Sequence, residues 1–224
     1  MPDLRECSDG AALAGAVAQH VARRLKEELA RTGRAVLVVP GGRSPVPLLQ
    51  ALSTEVLAWE RVAVTLTDER WVAPGHPDSN ESMVRRHLLQ GPAAAARLVP
   101  LWTGDATPEA ALPSVCKTLE ALPRPFAQVV LGMGEDGHVA SLFPGSPERS
   151  AEVALAARPP RAAQARLSLS LRTLLEARDL VLMISGPGKR RTLERALEEG
   201  SAEDLPVRAI LRQTAAPVSV FWAP

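Results

Sequence analysis

Only two cysteines, Cys7 and Cys116, occur in the 224 residues. Two thiols without a secretory signal do not make a disulfide framework, so both are expected to be buried or incidental. An excess of charge of one sign is also missing: 26 Lys and Arg stand against 25 Asp and Glu, a formal net charge of +1. That balance argues against a nucleic-acid or membrane-surface protein and for partners recognised locally. No apolar run approaches the roughly 18 residues that a membrane span needs. The N-terminus lacks the charged-then-apolar layout of a secretory leader, and a soluble, cytoplasmic protein is expected. Lysine is scarce: beside many arginines stand only Lys26, Lys117 and Lys189. A lysine kept amid so many arginines is suggestive.

What is present is material for a core. Hydrophobic residues make up 46% of the chain, enough for one large α/β domain spanning 1–224. Leu13, Val17, Val21, Leu25 and Leu29 recur every four residues, and with Ala16 and His20 they form one apolar helical face, stopped at Gly33. His20 reads as a core or boundary histidine. "AVLVV" (35–39), "VAVTL" (62–66), "AQVVLG" (127–132) and "DLVLMI" (179–184) read as buried strands. "LVPL" (98–101) is a weaker strand, "RLSLS" (166–170) alternates like a half-exposed one, and "VSVF" (218–221) closes the series. Helices are expected up to about Leu52, from Ser79 as N-cap to about Leu89, from Thr107 and Pro108 to about Leu122, and after "SGPGK" to about Glu199. Ala93–Ala96 reads as a helix end, and Pro159-Pro160 as a local loop. Strands alternating with helices predict a Rossmann-like three-layer α/β fold, a mostly parallel sheet with helices on both faces.

In such sheets ligands bind beyond the carboxyl ends of the strands. Four strand exits carry unusual residues: "PGGRSP", "TDERW", "GMGEDGH" and "SGPGK". If the strands are parallel, these loops share one edge. "PGGRSP" (Gly41, Gly42, Arg43, Ser44) suits an anion, because the N–H groups at a helix start point outward along a favourable dipole. It lacks the spacing and Lys-Ser/Thr of a Walker A loop. "SGPGKRR" puts three cations at a helix N-terminus against its dipole, a penalty that a bound anion removes, with Lys189 best placed. In "TDER", Asp68 and Arg70 can share one side of an extended segment, and a structural ion pair is an equally good reading of those residues.

"LGMGEDGHVASLFPG" (131–145) contains the G-x-G-x-x-G pattern. A dinucleotide site would need a helix at the third glycine and an acidic residue about 20 positions on. Here Pro144 and Gly145 curtail any helix, and positions 155–158 are Leu, Ala, Ala and Arg. The alternative is a glycine-built turn presenting His138, with Asp136 placed to orient or charge-stabilise the imidazole. His76 reads as an exposed loop residue and His87 as a helix-surface one. No set of His, Cys and carboxylates has metal-site spacing, and no G-x-S-x-G elbow occurs.

"GMGEDGHVASLFPG" and "TDERWVAPGHPDSN" resemble the two principal motifs of the 6-phosphogluconolactonase family. "PGGRSPVPLLQAL", "ARLSLSLRTLLEA" and "ISGPGKRRTLERAL" resemble its other segments in order, from about residue 10 to 222. The related glucosamine-6-phosphate deaminases share the Asp-Gly-His core but continue toward Asn-Glu-Pro, where this chain has Ser141-Leu142-Phe143-Pro144. The resemblance implies hydrolysis of 6-phospho-D-glucono-1,5-lactone in the pentose phosphate pathway, with no metal or organic cofactor. His138 would be the general base and Asp136 its support. Gly41, Gly42, Arg43, Ser44, Gly134, Arg166 and Lys189 would hold the phosphorylated substrate, and Asp68, Arg70 and Asn80 would shape the sugar side. The implied partner is a phosphosugar lactone, the assembly a monomer or weak homodimer. A deaminase-like isomerase and a non-catalytic sugar-phosphate sensor are the alternatives. One departure stands out: Pro40, where many relatives have Ser, has no N–H to offer a phosphate.

Overall fold

The computed structural model describes residues 2–146, 152–159 and 164–224. The chain opens on strand β1 (Asp3–Glu6), helix α1 (Gly10–Thr32), β2 (Ala35–Val39), α2 (Val46–Ser53) and β3 (Val62–Leu66). A short strand β4 (Asp68–Arg70) leads to α3 (Asn80–His87), β5 (Arg97–Leu98), α4 (Pro108–Glu120) and β6 (Gln128–Leu131). Then follow β7 (Ala154–Ala157), β8 (Arg166–Leu169), α5 (Leu171–Leu175), β9 (Leu180–Ser185), α6 (Pro187–Leu197), α7 (Val207–Arg212) and β10 (Val218–Ala223).

Seven strands form one parallel sheet in the order β1-β10-β9-β6-β2-β3-β5. The fold is the expected Rossmann-like three-layer arrangement. Every residue of β2, β3 and β6 is buried, as befits strands covered on both faces. From β2 the chain steps to β3 and β5 on one side, and from β6 to β9 and β10 on the other. The order reverses between β2 and β6, where a crevice opens beyond the strand ends. The four strands whose exits carry unusual residues, β9-β6-β2-β3, are neighbours in the sheet.

The helix signals at Gly33, Ser79 and Thr107 act as read, and α1 has a further cap, Asp9, that sequence reading did not name. Asp9 caps α1 through Oδ1, which accepts from Ala11 N and Ala12 N at 2.9 and 2.8 Å, and Gly33 closes it. Ser79 and Thr107 cap α3 and α4. His20 is indeed a core residue: its Nε2 lies 2.7 Å from Asp179 Oδ2, with both side chains 2% exposed. Cys7 and Cys116 are free and half-buried.

Several expectations are corrected. "RLSLS" is not half-exposed: Leu167, Ser168 and Leu169 are all buried. It is the middle strand of a separate antiparallel sheet, β4-β8-β7, and the Ser168 hydroxyl is satisfied there by donating to Leu169 O at 3.0 Å. "LVPL" pairs only as Arg97–Leu98, because proline cannot extend the ladder. The alanine run forms a 3₁₀ turn of its own, Gly91–Ala95, rather than a helix end. Of the Pro159-Pro160 loop, Pro160 lies outside the described residues. The strand β1 escaped sequence reading because "DLRE" is fully exposed and mostly charged. Charges on an edge strand discourage pairing with other chains. No helix among the described residues is long and apolar enough to cross a membrane.

Candidate active site

All four loops contribute to one cavity of about 260 Å³. The β2 exit brings Pro40, Gly41, Gly42 and Ser44, the β3 exit Asp68 and Arg70, the β6 exit Gly134 and His138, and the start of α6 Lys189. Asn80 from α3 and Arg166 from β8 complete the wall. Of the residues expected to touch substrate, only Arg43 lies elsewhere. It is exposed, in an adjoining cleft shared with Arg70, His76 and Arg86.

The β6 exit is a tight turn: Gly134 N donates to His138 O at 2.9 Å and Gly137 N to Gly134 O at 3.0 Å. The turn folds His138 back over Gly134. A Cβ on Gly134 would overlap His138 Nδ1 and Asp136 Oδ1, so only glycine leaves room for the pair. No helix follows; a short turn closed by a Val139–Leu142 bridge takes its place. His138 Nδ1 lies 2.6 Å from Asp136 Oδ1. A carboxylate repels a ring lone pair and attracts N–H, so Nδ1 carries the proton and Nε2 is left as the basic nitrogen. Burial pushes the Asp136 carboxyl up, but the charge and hydrogen bonds of His138 outweigh it and hold the group below its ordinary value. Asp136 therefore stays ionised where the imidazole works.

The β3 exit alternates as an extended segment must. Asp68 and Arg70 face the cavity, and Glu69 is fully buried behind them. Asp68 does not pair with Arg70. Its Oδ2 accepts from Ser141 Oγ at 2.7 Å and lies 3.4 Å from Arg166 Nη1, while Oδ1 accepts from Thr67 Oγ1 at 3.0 Å. The antiparallel register sets Arg70 opposite Arg166 and Asp68 opposite Ser168. Arg70 Nη1 donates to Asp78 O at 2.8 Å. The Nε groups of Arg70 and Arg166 are buried without a partner among the described residues. Unsatisfied buried donors are costly.

Glu69 holds the site from behind. Its carboxylate accepts from Arg70 N and Asn80 N at 2.8 Å each and from Glu81 N at 2.7 Å, gripping the start of α3. Burial pushes this carboxyl up to about 7 against those three donors. Asn80 is thereby aimed: its Nδ2 donates to Asp68 O at 2.8 Å and its Oδ1 accepts from Gly42 N at 3.3 Å. A Cβ on Gly41 would overlap the Asn80 side chain, so this approach of loop to helix requires glycine.

At α6 the three cations part ways. Arg190 pairs with Glu6 and Glu194 at 2.6 and 2.9 Å and lies over Trp222, and Arg191 is exposed. Lys189 alone of the three lines the cavity. Burial pulls its ammonium below the ordinary lysine value, partly countered by Glu135. Sequence reading assigned no role to Glu69, Ser141 or Phe143. Ser141 and Phe143 stand in the quoted motif, yet no local pattern marks a hydroxyl or ring that acts across the fold. Among the described residues no cluster of three or more His, Cys, Asp or Glu is arranged to hold a metal ion.

The sequence profile of the "Glucosamine-6-phosphate isomerases/6-phosphogluconolactonase" family matches residues 8–222. The chain is 43% identical to a 6-phosphogluconolactonase of Pseudomonas aeruginosa, over 99% of this chain and 94% of that protein. It is 41% identical to one of Pseudomonas putida, over 99% and 93%. The crystal structure of a 6-phosphogluconolactonase from Shewanella baltica superposes with a TM-score of 0.97 at 37% identity, covering 100% of this chain and 98% of that one. A monomeric glucosamine-6-phosphate deaminase shares the fold at a TM-score of 0.78 and 21% identity, covering 99% and 97%.

Proposed function

The chain belongs to the glucosamine-6-phosphate isomerase/6-phosphogluconolactonase family, and on that basis we propose that it hydrolyses 6-phospho-D-glucono-1,5-lactone to 6-phospho-D-gluconate with His138 as general base. It is a hydrolase of the 6-phosphogluconolactonase type. The observation that carries the mechanism is a base and an anion cradle in one cavity. The carboxylate-backed His138 shares that space with Gly41, Gly42, Arg166 and Lys189.

In this reading the phosphate sits among the β2 exit, Lys189 and Arg166, and the ring reaches toward His138. Nε2 takes a proton from water as its oxygen attacks the lactone carbonyl. The Asp136 carboxylate stabilises the imidazolium that results. The oxyanion develops beside the Arg70 guanidinium, which lines the same cavity. When the tetrahedral intermediate collapses, the carbonyl re-forms, the ring C–O bond breaks, and the imidazolium returns the proton to the departing ring oxygen. A strained ester needs modest help: general-base catalysis supplies roughly 10²–10⁴-fold, and positioning adds more. Pro40 has no N–H to donate, which leaves the phosphate contacts to the groups after it.

A coupled assay with freshly made 6-phosphogluconolactone, corrected for spontaneous hydrolysis, tests this. His138→Ala should lower kcat by roughly 10²–10⁴-fold while its circular dichroism matches wild type. Wild-type turnover in that variant would refute the assignment.

A further inference from the structure

Phe143 touches both halves of the site. Its ring centroid lies 4.8 Å from that of His138, with the planes inclined at 42°. The guanidinium carbon of Arg166 lies 5.7 Å from the same centroid. Two residues earlier, the buried Ser141 hydroxyl donates to Asp68 Oδ2, the atom that also faces Arg166. The backbone between His138 and Ser141 is held against its preference: Ala140 has φ of 50°, in the left-handed region that a residue with a Cβ rarely adopts. Such a conformation persists where the surroundings over-determine it. Here Leu142 N donates to Val139 O at 2.9 Å and Ser141 N to Ser168 Oγ at 3.2 Å.

The substrate's reacting carbonyl and its phosphate lie at opposite ends of one small molecule. A base and an anion holder must therefore keep a constant separation, or one is engaged at the expense of the other. Asp136 bonds one edge of the His138 ring but does not touch its faces, and Asp68 reaches Arg166 only at 3.4 Å. A rigid aromatic ring against both supplies the missing restraint, since guanidiniums stack on ring faces. We infer that Phe143 is a positioning residue that sets the spacing between His138 and Arg166, with Ser141 and Asp68 as the second anchor of Arg166. This rests on the lactonase reading for its substrate and on the ring contacts for its geometry.

Phe143→Leu keeps apolar volume but removes the ring, and Phe143→Tyr restores it. Lactone turnover reads His138, and the affinity for inorganic phosphate, measured by competition or calorimetry, reads Arg166 without any hydrolysis. Phe143→Leu should weaken phosphate binding about threefold to tenfold, the range of one cation–ring contact. It should lower kcat roughly tenfold through misplacement of the base. Phe143→Tyr should stay within about twofold of wild type in both, because the ring contact is retained. Wild-type values in Phe143→Leu, a change confined to one readout, or equal impairment of the Tyr and Leu variants would overturn the inference. The phosphate measurement decides the Arg166 half even if the lactone assay fails, so the two claims fall separately.

Discussion

Gly134 shows how much one missing side chain can matter. The Asp136–His138 pair occupies the space that a Cβ there would fill. Gly134→Ala should displace the pair while leaving the buried strand β6 intact. Since small misplacements of a catalytic group can cost about 10²-fold, kcat should fall by about that factor, with a melting temperature near wild type. Unchanged kcat would mean that the pair is free to move without loss. Asp136 and His138 were legible in the sequence because the turn that joins them is local. The partner of Asp68 was not. Its neighbour in sequence is Arg70, yet the cation it faces is Arg166, 98 residues away, and its hydroxyl donor is Ser141, 73 away. Both contacts depend on β4 lying beside β8, which no short motif encodes.

At the scale of elements, caps and periodicity marked the long helices well, whereas the short or polar pieces β1, β7, α5 and α7 left no pattern to read. The junction of β4 with α3 carries the clearest energetic consequence. Glu69 in the folded protein holds its proton up to about pH 7, against an ordinary value of 4.5. Its contribution to stability is therefore fully present below about pH 4.5 and is lost as pH rises through 7. At 1.36 kcal/mol per unit the shift corresponds to about 3 kcal/mol. Glu69→Gln cannot ionise, so its unfolding free energy should decline less between pH 4.5 and 7 than that of wild type. At the acid end the variant should be less stable by about 1–3 kcal/mol, because an amide offers one acceptor to three backbone N–H groups. Urea titrations of both proteins at pH 5 and 7.5 check this, and parallel pH dependences would refute the role given to Glu69.

At the scale of the molecule, the parallel sheet turns four separated loops into one site. We propose that residues 1–224 form a single domain, since β1, near the N-terminus, pairs with β10, near the C-terminus, at one edge of the sheet. Denaturation followed by far-UV circular dichroism and by the fluorescence of the four tryptophans, Trp59 among them buried, should then give coincident transitions, and two resolved steps would refute a single unit. The sequence alone determined the buried strands, the main helices, the parallel α/β class and the turn that presents His138, because each follows from local periodicity, caps or glycine spacing. Tertiary structure alone decided that Arg43 stands outside the main cavity and that Arg166 answers Asp68. Those outcomes rest on strand order and antiparallel register, which arise from burying both sheets at once and are written in no single segment.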